Sequence, residues 1–121
     1  MAFYHGTGKE NLESILKRGL RPRINWDSLH KNLAVVSLTD SASEALIEAY
    51  VVDETKIELG EKKRRSKSYV ALEIDTATYK VIRHQADEWW IAETIKPKHI
   101  NVVAEEEYLA VKRRFEKKCG E

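Results

Sequence analysis

Two stretches of this chain carry the same helix-start signal, and together they fix the order in which it can fold. Thr7 and Glu10 stand three apart ahead of Leu12, Ile15 and Leu16, and Ser41 and Glu44 stand three apart around Ala42, Ala45, Leu46 and Ala49. A hydroxyl followed three residues later by a glutamate lets each side chain satisfy a backbone N–H that the first helical turn leaves open. The apolar positions then recur at helical spacing, so each box opens a helix with one buried stripe. Each is preceded by a short extended run: Ala2-Phe3-Tyr4-His5, closed by Gly6-Thr7-Gly8, and Ala34-Val35-Val36-Ser37-Leu38. Gly19 offers the first helix a left-handed stop with Leu20 folding back, and the second helix ends near Tyr50.

Beyond residue 68 the period changes. Val70, Leu72 and Ile74 alternate with Tyr69, Ala71 and Glu73, the pattern of a half-buried strand. Further strands are predicted at Tyr79–Arg83, Glu88–Ala92 and Ile100–Val103. A closing helix follows, with Ala104, Tyr108, Val111 and Phe115 on one face and Glu105, Glu106 and Glu107 at its positive end. Two strand–helix pairs, then strands in succession, then a helix, predict an α+β fold rather than a doubly wound sheet. Loops are predicted from Arg21 to Leu33 and, as a charged surface loop or hairpin, from Asp53 to Ser68. A length of 121 residues suits one domain over 1–121.

Charge narrows the partners. Basic and acidic side chains number 21 and 20, a net charge of +1, which argues against a chain wrapped broadly in nucleic acid. The run Lys62–Lys67 leaves a local nucleic-acid or phosphate contact open, beside the plainer reading of a solvated loop. Cys119 is the only cysteine, so neither an intrachain disulfide nor a cysteine-based zinc site is expected, and His30, His84 and His99 lack metal-ligand spacing. They read as ordinary surface histidines. No basic-then-apolar N-terminus and no apolar run of membrane-spanning length occur. The expectation is a cytoplasmic chain with no membrane partner.

Three places carry chemistry. In Tyr4-His5-Gly6-Thr7, a glycine directly after a histidine lets a ligand approach the backbone where a Cβ would obstruct it. The plainer alternative is a strand-end histidine with Gly6 serving the turn. Ser37 is a polar residue inside the second apolar strand, and Tyr50 is the next aromatic downstream. In Gln85-Ala86-Asp87-Glu88-Trp89-Trp90-Ile91, strand alternation puts Glu88, Trp90 and Ala92 on one face and Trp89 and Ile91 on the other. Glu93 is the competing carboxylate.

The run from Tyr4-His5-Gly6-Thr7 through Asn11-Leu12-Glu13-Ser14-Ile15-Leu16 to Gly19-Leu20 resembles the opening of ADP-ribosyltransferases whose first signature residue is histidine. These include diphtheria-type toxins, poly(ADP-ribose) polymerases and DNA-targeting toxins of toxin–antitoxin systems. It is also similar to the catalytic domain of tRNA 2′-phosphotransferase. The resemblance implies a split, bent β-sheet around an NAD cleft with flanking helices, and NAD as co-substrate. It implies binding by Tyr4, His5, Gly6 and Thr7, with His5 on the nicotinamide-side ribose and Gly6 backbone atoms on the carboxamide. Ser37 and Tyr50 would wall the nicotinamide slot. Glu88 and His5 would be the catalytic pair, Glu88 stabilising the positive charge that develops on the ribose as nicotinamide leaves. The acceptor would be a nucleic acid or a protein. Two other readings follow from the same resemblance: a non-catalytic module that binds NAD, ADP-ribose or nucleic acid, and a minimal RNA 2′-phosphotransferase-like enzyme. Val36-Ser37-Leu38 lacks the second histidine of the latter enzymes, although Arg64 and Arg65 fall near their last arginine. That departure, with Glu88 present, favours ADP-ribosyl transfer.

Overall fold

The computed structural model describes residues 1–24 and 34–120. Its elements are β1 (Phe3–Gly8), α1 (Leu12–Arg18), β2 (Arg23–Ile24), β3 (Ala34–Leu38), α2 (Ala42–Glu58), β4 (Ser68–Ile74), β5 (Ile82–Gln85), β6 (Glu88–Ile91), β7 (Ile100–Glu107) and α3 (Tyr108–Cys119). The class is mixed α+β, as the order of periods predicts. Three strands pair in the order β1-β4-β7 and four in the order β2-β3-β6-β5, all antiparallel, and neither sheet closes on itself. The two sheets meet at one backbone bridge, Tyr4 with Thr39, where each N–H donates to the other's carbonyl at 2.8 Å.

Strand β4 explains the layering. Its Val70, Leu72 and Ile74 join Val36, Leu38, Trp89 and Ile91 of the other sheet in one core. Its Tyr69 and Ala71 join Ala45, Leu46, Ala49 and Tyr50 of α2 and Val111 of α3 in a second. The three-stranded sheet is therefore the middle layer, and β4 is buried on both faces rather than half-buried as its alternation predicts. A strand read as polar on one side carries Tyr69 and Ala71 there, which are small or amphipathic enough to hide under helices.

Other departures each have a specific cause. Gly6, Thr7 and Gly8 continue β1 instead of closing it, because all six residues of the strand pair with β4. The Thr7–Glu10 box does not form. Thr7 Oγ1 instead accepts from Asn11 Nδ2 at 3.0 Å, and Glu10 is drawn away to Lys62 and Ser66. The stripe of α1 is correspondingly narrow: Ile15 is buried and Leu16 exposed. The box at Ser41 does cap α2, its hydroxyl accepting from the Glu44 N–H at 3.3 Å, but Glu44 turns to Lys118. Gly19 stops α1 with φ of +85°, and Leu20 pairs with Ile95.

Helix α2 runs on to Glu58, well past Tyr50, so the first part of the predicted charged loop is helical. The buried Asp53 accounts for this: it accepts from the Ser66 N–H at 2.9 Å and from Tyr69 Oη at 2.7 Å, and pairs with Lys62. Those contacts hold about two further turns of helix against β4. The two predicted strands, β5 and β6, pair as a hairpin, with β5 starting later than Tyr79 and β6 ending at Ile91. At the far end β7 extends through Glu105, Glu106 and Glu107, which pair with β4, so the closing helix begins only at Tyr108. The short β2 lies inside the predicted Arg21–Leu33 loop, whose residues 25–33, with His30, fall outside the described residues.

Candidate active site

Ser37 sits at the centre of the predicted site. It lies in β3 directly opposite Trp90 of β6, so the two side chains share a face. Its carbonyl meets His5 Nδ1 at 2.8 Å, and its hydroxyl lies 3.4 Å from Glu88 Oε2. One serine thus ties His5 of the three-stranded sheet to Glu88 of the four-stranded sheet. A carbonyl can only accept, so the His5 proton is on Nδ1 and Nε2 keeps its lone pair. Burial pushes the His5 imidazole below its ordinary value, and the nearby Arg23 charge acts the same way against the opposing bond to Ser37. The ring is thereby held neutral, an acceptor at Nε2.

Glu88 is fixed by two donors on a single oxygen. Trp90 Nε1 donates to Oε2 at 2.5 Å and the Ser37 hydroxyl approaches the same atom. His84 stacks on the Trp90 ring, with centroids 3.7 Å apart and planes 17° from parallel. Both adjacent tryptophans are buried, Trp89 in the inter-sheet core and Trp90 beneath Glu88. His84 and His99 are therefore not plain surface histidines, since His99 Nδ1 meets Tyr79 Oη at 2.5 Å. Glu93 is exposed just past the end of β6 and does not compete for the site.

Glu88 opens onto a cavity of about 290 Å³ lined also by Thr39, Asp40, Glu44, Glu48, Asp87 and Lys118. Five carboxyl groups against one lysine make the walls acidic, and the lysine is already bound to Glu44 at 2.7 Å. The acids are spread around the rim: among the described residues no three His, Cys, Asp or Glu side chains converge as a metal would need. Glu48 is the functional residue that sequence reasoning misses. Burial pushes its carboxyl up, the Glu88 and Glu44 charges push it further and Lys118 opposes them, leaving it at about 7. A signal for it exists in the sequence: two glutamates four apart on one helix face repel, so Glu44 and Glu48 stand there at a cost to the helix.

No family model matches the chain, and no curated protein matches its sequence. The site therefore stands on its own geometry.

Of the predicted site residues Glu88 alone lines this cavity, while His5 and Ser37 lie behind it at the junction. The Tyr50 ring lies in the second core, against Tyr69, Tyr108 and Phe115, with centroids 5.2 to 6.3 Å away. It does not line the Glu88 cavity, and its stacking role lapses because α2 turns that residue towards α3. Tyr4 packs against the same second core, on the face of β1 opposite to His5. A Cβ at Gly6 would collide with the Ala45 carbonyl, so the space its missing side chain leaves is taken by α2 rather than by a ligand. The Gly6 backbone is another matter. Tyr4 turns its N–H and C=O away from β4 to reach Thr39, and ladder alternation points those of Gly6 to the same open edge. Among the described residues nothing pairs with them there. Thr7 shares the His5 face of β1, with its hydroxyl held by Asn11.

The basic run carries less free charge than its sequence suggests. Of its five cations, Lys62 is held by Asp53, Glu10 and Ser66, and Arg65 by Glu54 at 2.5 Å. No helix among the described residues is long and apolar enough to cross a membrane.

Proposed function

We propose that this chain is an NAD-dependent ADP-ribosyltransferase that uses the cavity beside Glu88. The observation that carries the reading is the Ser37 junction, which brings His5 and Glu88 together from 83 positions apart in sequence. Both residues must reach one ribose ring for the chemistry to work. The meeting of the two sheets at Tyr4–Thr39 supports the split, bent sheet that the resemblance implies. The unpaired Gly6 N–H and C=O form a donor–acceptor pair matched to a carboxamide.

Each group then has a task. Gly6 holds the nicotinamide amide along the β1 edge. His5 Nε2 accepts from a ribose hydroxyl. Glu88, anchored through Oε2 by Trp90 and Ser37, presents Oε1 to the anomeric carbon. As the carbon–nitrogen bond breaks, the ring positive charge passes to the sugar, and a fixed carboxylate stabilises it without having to reorganise. The acidic walls favour that cationic end of NAD. A cavity near the small end of ligand pockets takes the nicotinamide ribose and leaves the rest of the dinucleotide outside. The pyrophosphate belongs on the His5 side, where the Arg23 charge is felt.

Incubation with NAD labelled in the adenylate half, together with protein, DNA, RNA and 2′-phosphorylated RNA, tests the reading. Label on a macromolecule with nicotinamide released is the expected result. Binding without any nicotinamide release would instead mark a binding module, and loss of the 2′-phosphate to a labelled small product, with no label kept on a macromolecule, would mark the phosphotransferase.

A further inference from the structure

Among the carboxyl groups that line the cavity with Glu88, Glu48 stands apart. Glu48 lies one helical turn after Glu44 on α2 and lines the same cavity that Glu88 enters from β6. The other groups there are engaged or peripheral. Glu88 is held by Trp90 and Ser37, Glu44 by Lys118 of α3, and Asp40 and Asp87 are exposed at the rim. Glu48 accepts no hydrogen bond from any described residue, and its oxygens are not sealed from the cavity.

Resting on the NAD reading, we propose that Glu48 is the base of this site, taking the proton of the nucleophile that attacks the ribose carbon. The bond between the anomeric carbon and nicotinamide nitrogen breaks, its electron pair leaving with neutral nicotinamide. A lone pair of the nucleophile forms the new bond to that carbon, and the proton it sheds passes to the Glu48 carboxylate. Glu88 keeps its charge throughout.

The division suits the two environments. A general base works best when its own titration lies close to the working pH, and burial with the Glu88 and Glu44 charges brings Glu48 to about 7. Two carboxyl groups in one glycosidic site, one stabilising charge and one handling the nucleophile's proton, are an established way to break a sugar bond. An unbonded carboxyl facing the cavity is free to accept that proton, whereas Glu88 is committed to its anchors.

The test uses the full chain with NAD alone, water as acceptor, and nicotinamide release measured from pH 5 to 9. Wild type should gain rate through about pH 7, the value of the Glu48 carboxyl. Glu48→Gln, close to isosteric, should lose that rise and fall roughly 10²-fold at the plateau. Sodium azide, an anion with no proton to shed, should restore Glu48→Ala and yield ADP-ribosyl azide, yet leave Glu88→Gln slow. An active wild type whose rate and pH profile survive Glu48→Gln overturns the base assignment alone, as does failure of azide to restore Glu48→Ala. A wild type that releases no nicotinamide at any pH overturns the NAD reading itself.

Discussion

Asp53 and Glu48 lie on one helix, just over a turn apart, and meet opposite fates. Asp53 is only 3% exposed and receives three donors: Lys62, the Ser66 N–H and the Tyr69 hydroxyl. Burial pushes its carboxyl up, but those bonds outweigh it and hold the group below the ordinary carboxylate range. Glu48 receives none among the described residues and faces other acids, so only the Lys118 charge opposes the same desolvation, and the carboxyl stays raised. Partners decide what burial does to an acid. The Asp53 end of α2 is a clasp between helix, loop and β4, and the Glu48 end is a wall of the cavity.

Breaking each end should produce different losses. The largest is expected at Glu88→Gln, which keeps shape and anchors but removes the charge that faces the developing cation. Nicotinamide release should fall about 10²–10³-fold, about 3–4 kcal/mol of barrier, while NAD affinity and melting temperature change little. Single-turnover rates beside equilibrium binding would check it, and an unchanged rate would remove Glu88 from the chemistry.

Asp53→Ala should do the reverse. It leaves Tyr69 Oη and the Ser66 N–H without their acceptor, and Lys62 with only Glu10 as a carboxylate. A loss of about 3 kcal/mol in denaturant unfolding at neutral pH is expected, the low end for a broken buried pair because Lys62 keeps a partner. The Asp53 value is depressed by folding, so its stabilisation is present above the unfolded value of 3.8 and lost as pH falls through the folded one. The difference between variant and wild type should therefore shrink in acid. The rate per folded molecule should stay the same, which separates the clasp from the cavity.

Glu48→Gln sharpens the contrast at the smallest scale, as a gain. Folding raises this carboxyl from 4.5 to about 7, so its favourable contribution is full below 4.5 and lost as pH rises through 7. At pH 8 the glutamine variant should unfold about 1–3 kcal/mol less readily than wild type, and at pH 4 the two should coincide. Paired melts at the two pH values decide it. Equal curves at pH 8 would mean that Glu48 is well solvated.

The same contrast shows what the sequence makes legible. Strand β3, the Ser41 cap and the Gly19 stop are read directly, because each depends on neighbours within four residues. Ser37 and Glu88 are legible as polar residues in apolar strands, but their meeting depends on the register of β3 against β6. The Thr7–Glu10 box fails for a non-local reason, since Lys62 and Ser66 take Glu10 from more than fifty residues away. Asp53 and Lys62 look like members of a charged loop until the fold pairs them. Glu48 is hidden in a chain rich in glutamate, and only the cavity distinguishes it.

The strand order β1-β4-β7 has a consequence for how the molecule is made. Residues 3–8 are made well before their partners, 68–74, and those in turn need 100–107. Contacts so distant in sequence carry a loop-closure cost before they return any stability, which slows folding relative to a helical bundle of this length. The strand that carries His5 and the Gly6 edge must wait as an unpaired segment until residues 69–74 have been made. The site comes together late, because Ser37 must find a residue from the β5–β6 hairpin as well as one from the N-terminus. A chain shortened before β7 would retain every residue of the junction and still leave β4 without one of its two neighbours.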